Sequence, residues 1–331
     1  MVEAGKDKAP PYEISVEKIE VEFRSLRTRR LFPYFALLFI PRAQGRLSWL
    51  RFFLSKESTE KLERVNADII VSAGASLVPL NLCLSRENLA KSVVLMKPSF
   101  PFNLFRYDLA LIPAHDQGLM PRGSFRTQGA LSDIDEASLN RAREVFAKSI
   151  PNPGRVRFSL FLGGETRNFK LSLSEIENLL SEVERSSEKL GGDYLITTSR
   201  RTPEEVSHFL KTRLENRGRC QSCVIATQDK RSEVVPGMMA LADYLIVTED
   251  SLSMISEALS SGKKVIVVKM AQNGLPNKHY HFQELIKKEW GVPIVEAKRL
   301  SEVIGKEGSQ AALQYRERER ARIRERLESL F

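Results

Sequence analysis

Short apolar runs recur along the chain, each closed by glycine, proline or small polar residues, and most lead into stretches whose apolar positions return every three or four residues. "ADIIVSAGAS" (67–76) is such a run ending in Gly74, followed by a helical pattern to about Leu89. "SVVLMKPS" and "YDLALIPAHD" are two more strands, "FRTQGALSDID" follows, and Asp135 to Lys148 has helical spacing. The second half repeats the rhythm more plainly. "RVRFSLFLGGE" runs into paired glycines, Ser172 to Leu190 is helical, and "YLITTSRRTP" is a strand with Pro203 at the start of the next helix, where proline fits. "CVIAT", the short helix "PGMMALA", and the strands Tyr244–Thr248 and Lys264–Lys269 around another helix come next, then "FQELIKKEWG", "VPIVEA" and a long terminal helix. Ile14 to Phe23 also alternates as a strand.

Strands alternating with helices of this length predict an α/β protein with parallel sheets and crossover helices. The Pro-Asn-Pro-Gly run at 151–154 is the clearest linker. It divides the chain into 1–150 and 151–331, expected to be two Rossmann-like domains facing a cleft. Residues 1–12 have the composition of a tail, and "YRERERARIRERLESLF" pairs Arg and Glu at helical spacing, as an exposed ion-paired helix does.

Composition sharpens this picture in one place. The chain has 331 residues, 42% hydrophobic and 28% charged, within the globular range. Three cysteines exclude a disulfide scaffold and point to a reducing, cytoplasmic setting, and no signal-peptide pattern opens the chain. The net charge of +9 is uneven: Arg24 to Leu54 holds seven arginines, seven aromatics and no acid. Its most apolar stretch, Leu31 to Ile40, is about half a bilayer span. Three readings fit: helices with aromatic cores and solvated arginines, peripheral contact with an anionic membrane, or a nucleic-acid groove, the last being the least favoured.

Ligands in open α/β sheets bind beyond the strands' carboxyl ends. Three loops of the second half carry suitable groups: Gly163-Gly164, where backbone could approach a ligand; Thr198-Ser199-Arg200-Arg201-Thr202, with hydroxyls and fixed charge; and Asp250-Ser251-Leu252-Ser253, followed by Met254 and opening a helix whose free amides favour an anion. Each has a bland alternative as turn, solvated arginines or N-cap. Together they suit a diphosphate, and Glu257, one to two turns further along, suits ribose hydroxyls. Cys220-x-x-Cys223 lacks the second pair a zinc site needs and precedes a strand, so two ordinary thiols are expected.

"LFLGGETRNFKLS", "LITTSRRTP", "LADYLIVTEDSLSMISEALSSGKKVIVV" and "NKHYHF" resemble the mitochondrial fission (elongated-mitochondria) family over roughly residues 65–300. The resemblance implies a GT-B glycosyltransferase fold with a nucleotide-sugar donor on the carboxyl-terminal side, and it gives the ribose role to Glu257. Family members open with one more strand and helix before Ile14–Phe23, so the chain is either truncated or has a first domain one unit smaller. A GT-B transferase needs a base for the acceptor hydroxyl and cations for the departing phosphate. His115 with Asp116 beside it is the candidate base, and Arg200, Arg201 and Lys278 are the candidate cations. No Asp-x-Asp pair sits at a strand end, so no metal or cofactor beyond the nucleotide-sugar substrate is expected. The expected reaction is transfer to a lipid-linked or glycan acceptor at the inner membrane face. The alternatives are a non-catalytic recruitment protein, as plant relatives are thought to be, and an epimerase of the same fold.

Overall fold

The computed structural model describes residues 14–42, 44–45, 47–150, 156–215, 218–229, 231–272, 274, 277–305 and 309–330. The expected tail at 1–12 and the linker at 151–154 lie outside them. The chain forms two compact units, 1–93 and 94–331.

In the first unit, helix α1 (Leu26–Phe39) starts at Ser25, whose hydroxyl caps Thr28 N while Thr28 caps Ser25 in return. It buries Phe32 and Ala36, one turn apart on one face. Phe32 stacks on Trp49 at 5.6 Å and meets Phe53 edge-on at 5.6 Å, so these three rings are core. Helix α2 (Lys56–Glu63), strand β1 (Ile69–Ala73) and helix α3 (Val78–Glu87) follow, and strand β2 (Lys91–Leu95) lies at the division. Asn81, buried on α3, donates its amide to Ile70 O (2.8 Å) and Val93 O (3.0 Å), tying the two strands together. The strand expected over Ile14–Phe23 is not formed. Only a single bridge, Phe23 to Leu54, exists there. Ile14 and Val16 stand exposed, so the alternating pattern has no buried face to hold it in a sheet.

The second unit begins with the parallel pair β3 (Arg106–Pro113) and β4 (Arg122–Thr127), then helix α4 (Glu136–Phe146). Next come β5 (Arg157–Phe161), β6 (Phe169–Lys170), α5 (Leu173–Leu190), β7 (Asp193–Thr197), α6 (Glu204–Leu214), β8 (Cys220–Val224) and α7 (Val234–Leu241). They are followed by β9 (Tyr244–Thr248), α8 (Leu252–Ser260), β10 (Lys264–Val268), β11 (Ala271–Gln272), α9 (Asn277–Trp290), β12 (Ile294–Val295), α10 (Leu300–Val303) and α11 (Ser309–Glu328). Helix α5 is held at both ends, by a Ser172–Glu175 capping box and by Gly191 in the left-handed conformation at φ 63°.

Six strands form one parallel sheet in the order β12-β10-β9-β5-β7-β8. Numbered along this sheet alone, that is the doubly wound order 3-2-1-4-5-6. Strand residues alternate between two cores: Leu245 and Val247 face the α4, α7, α8 and α9 side, Tyr244 and Ile246 the α5 and α6 side. With both faces covered, the strands read as continuous apolar runs, which is why the sequence showed them so clearly. The α/β class and the parallel sheet are thus as expected.

Residues 94–150 pack within the second unit. Arg143 of α4 donates to Ala240 O at 2.6 Å, and Phe146 lies against Gly237, where a Cβ would come within 2.6 Å of it. The terminal helix α11 is exposed at most described positions and pairs Arg322 with Glu319 at 2.7 Å, as expected, but it is not exposed all round. One face is buried, with Tyr315 edge-on to Trp290 at 5.2 Å and Glu319 accepting from Gln128 N at 2.7 Å. The guanidinium groups of Arg322 and Arg326 lie over the Phe125 ring at 5.0 and 5.5 Å. A planar guanidinium stacks on an aromatic face, so an Arg-rich pattern hides a helix packed on one side.

Candidate functional site

Strand β5 has β7 on one side and β9 on the other, and the helices after β5 and β9 pack on opposite faces. The order of the sheet reverses there, the place beyond whose strand carboxyl ends open α/β sheets bind ligands. The three expected loops, after β5, β7 and β9, meet there.

Asp250 holds them together. Its carboxylate is fully buried. Oδ1 accepts from Thr248 Oγ1 at 2.7 Å, and Oδ2 accepts from Gly164 N at 3.1 Å and from the Arg201 guanidinium at 3.0 Å. Gly163 N donates to Thr248 Oγ1 at 2.7 Å, and Thr202 Oγ1 donates to Gly163 O at 2.5 Å. The glycine amides are therefore used inside the protein. What the glycines supply is room: a Cβ on Gly163 would lie 1.9 Å from Asp250 Oδ1, and one on Gly164 would lie 2.2 Å from the Arg201 carbonyl carbon. Gly163→Ala is accordingly expected to displace the Asp250 carboxylate and cost about 1–3 kcal/mol. Gly218→Ala, with open space around its Cβ, is expected to change little. Thermal melts of the two variants side by side check this, and equal melting temperatures would refute it.

The remaining positions surround this knot. Thr198 Oγ1 accepts from Ala226 N at 3.0 Å, and Ser199 closes a turn by accepting from Arg201 N at 3.1 Å. Arg200 is exposed, and Arg201 keeps 47% of its side chain in solvent beside the buried Asp250. Ser251 caps α8 by accepting from Met254 N at 3.4 Å, while Ser253 is exposed and Met254 half-buried. Lys278 stands exposed near the start of α9.

Glu257 is half-buried on α8, and no hydrogen bond to its carboxylate is found among the described residues. Burial pushes its carboxyl up to about 7, and the charge of Asp133 adds to this. His115 is 8% exposed, edge-on to Phe282 of α9 at 5.5 Å. Burial lowers its pKa and Lys278 and His279 lower it further, against Asp116, so the ring is neutral at pH 7. Its Nδ1 has no partner, and no hydrogen bond joins it to Asp116 among the described residues. The fold thus places His115 against the same helix as Lys278, though nothing in the sequence linked the two.

Sequence reasoning missed several residues. Thr248 anchors the glycine loop, alongside Thr202 of the expected loop after β7, and His279 brings Nε2 within 3.2 Å of Asp250 O. Glu249 is buried and accepts from Met270 N (2.8 Å) and Gln283 Nε2 (2.7 Å), bracing the β9 end. The adjacent acids of "TED" at a strand end were the only available signal. The Cys220 and Cys223 thiols are pushed up to about 12 and about 11, chiefly by burial, which makes thiolate chemistry unfavourable.

The fold and these loops define an α/β protein with a doubly wound parallel sheet and a cluster of mutually hydrogen-bonded polar loops at its switch point. The chain belongs to the mitochondrial fission ELM1 family, whose profile matches residues 14–327. It is 27% identical over 241 residues to the uncharacterized protein RP120 of Rickettsia prowazekii, covering 62% of this chain and 66% of that one. To the mitochondrial fission protein ELM1 of Arabidopsis thaliana it is 25% identical over 223 residues, 60% of this chain and 51% of that one. The matches therefore span about two thirds and about half of these relatives. Among solved structures it is similar to a UDP-GlcNAc 2-epimerase from Methanocaldococcus jannaschii (TM-score 0.48, 11% identity, 81% and 83% of the two chains). It is also similar to the glycosyltransferase SnogD from Streptomyces nogalater (TM-score 0.46, 12%, 91% and 82%) and to Anabaena Alr3699/HepE in complex with UDP and glucose (0.43, 14%, 79% and 78%). Likeness at this level assigns no substrate to the chain.

Proposed function

We propose that this chain binds a nucleoside-diphosphate sugar at the carboxyl ends of β5, β7 and β9 and transfers the sugar to a lipid-linked or glycan acceptor at a membrane face. The observation that carries the reading is the pairing of a rigid, Asp250-tied loop cluster with an unbonded, half-buried Glu257 on the helix that opens from it. The α8 amino terminus, Arg200, Arg201 and Lys278 supply the positive field a diphosphate needs. Glu257 accepts the ribose hydroxyls. In the transfer, the bond from the anomeric carbon to the diphosphate breaks, the acceptor oxygen bonds to that carbon, and neutral His115 takes the acceptor's proton.

A second reading, recruitment without chemistry, is favoured by one observation: Asp250, Gly163 and Gly164 satisfy one another, so the cluster is complete as a structural element. Isothermal calorimetry against UDP, GDP, ADP and CMP species separates the two. Binding of one of them, weakened about 10–100-fold by Arg201→Ala, is expected for the donor reading. No heat with any of them leaves recruitment standing. Sugar interconversion without an acceptor would instead mark an epimerase.

A further inference from the structure

The basic segment is split by the fold into two sets of aromatic and aliphatic side chains. Phe32, Ala36, Ile40, Trp49, Leu50 and Phe53 are buried and form the core of the first unit. Leu31 (52% exposed), Tyr34 (69%), Phe35 (43%) and Leu38 (72%) are not. Arg27, Leu31, Tyr34 and Leu38 follow the spacing i, i+4, i+7, i+11, so they line one stripe of α1, opposite the Phe32–Ala36 face. Phe52, on the turn whose neighbour Phe53 packs against Phe35, is exposed too, with the Arg51 guanidinium 5.3 Å from its ring centre. A contiguous exposed apolar stripe of this kind marks an interaction surface.

Charge identifies what it meets. No acid occurs from Arg24 to Leu54. Arg27 and Arg30 are exposed and make no ion pair among the described residues. The first turns of α1 carry Arg27, Arg29 and Arg30 and no acid, so cations stand at the positive end of the helix dipole. Within the protein this arrangement is unfavourable, and an anionic surface offsets it. A helix with apolar groups flanked by arginines lies in the headgroup layer of an anionic bilayer, with rings at the interface and cations on the phosphates. Among the described residues no helix is long and apolar enough to cross a membrane, so contact is made along a face.

We propose that the Arg27–Leu31–Tyr34–Phe35–Leu38 face of α1, with Phe52, docks the chain onto an anionic phospholipid bilayer. The inference stands on the first unit alone and does not depend on nucleotide binding.

The test is co-sedimentation of the full chain with vesicles of phosphatidylcholine, alone and mixed with phosphatidylglycerol. Wild type is expected to sediment with the mixed vesicles and far less with phosphatidylcholine alone. Leu31→Glu/Leu38→Glu is expected to weaken binding about tenfold or more, with an unchanged melting temperature because both side chains are exposed. Tyr34→Trp, a reporter on the stripe, is expected to shift its emission to the blue on mixed vesicles only. Binding that ignores anionic lipid, or that survives the double substitution, would overturn the proposal. So would concentration-dependent dimerisation abolished by the double substitution, since the stripe would then seat a second copy. Retention on single-stranded nucleic acid without vesicle binding would overturn it as well.

Discussion

Asp193→Ala is expected to lower the unfolding free energy by about 3–5 kcal/mol. Arg157 opens β5 and is 1% exposed, one of the largest fully buried side chains described. Its Nε and Nη2 donate to Asp193 Oδ1 and Oδ2 at 2.6 and 2.8 Å, a two-pronged pair across the start of β5 and β7. Removing the carboxylate leaves a guanidinium in the interior with its main counter-charge gone, and that loss outweighs any relief of desolvation. The pair itself is not expected to add much net stability over apolar packing. Arg157→Met/Asp193→Leu is therefore expected to recover most of what Asp193→Ala loses. Urea unfolding of the three proteins checks both statements, and a loss below about 1 kcal/mol in the single variant would show that Arg157 has an adequate second partner.

Glu257→Gln is expected to stabilise the fold while weakening nucleotide binding. A carboxyl raised from 4.5 to about 7 holds its proton more tightly folded than unfolded. Between those values the native state binds more protons, so stability falls as pH rises from about 4.5 to about 7 and the loss is complete above that. At pH 8 the ionised Glu257 thus costs up to about 3 kcal/mol, and the glutamine variant recovers it. At pH 4 the two proteins should melt together. Binding moves the other way. Ribose hydroxyls donate to a carboxylate, so affinity for a nucleotide sugar should rise from about pH 6 to 8 in wild type. In Glu257→Gln it should be about 10–100-fold weaker and flat with pH. Melting curves at pH 4 and 8 with titrations at pH 6 and 8 decide the matter. A variant less stable at pH 8, or one binding with the wild-type pH slope, would exclude Glu257 as the ribose group. A half-buried carboxylate that costs stability when ionised is a candidate binding group.

The strands of the second unit were legible because each is covered on both faces, which forces near-continuous apolar runs such as Tyr244–Thr248 and Lys264–Val268. The helix starts at Ser172 and Ser251 were legible for a local reason, since a capping hydroxyl acts on an amide three residues away. Ile14–Phe23 misled because alternation specifies a strand only where a neighbour pairs with it. The α11 sequence hid its packed face because arginines that look solvated stack their guanidinium groups on Phe125.

For the candidate site, the sequence by itself determined which loops follow which strands, and hence that Gly163, Ser199, Arg201 and Asp250 stand at strand ends. It could not show that Asp250 spends its carboxylate on Gly164, Thr248 and Arg201, because those bonds join residues 2 to 86 positions apart. Nor could it show that Phe32 and Trp49 are core while Leu31 and Leu38 face outward, since every position of α1 except its arginines and Thr28 is apolar or proline. Periodicity and capping are short-range and are written in neighbouring residues. Burial, ion pairing and the raised Glu257 carboxyl depend on which distant side chains exclude water, and only the tertiary structure decides that.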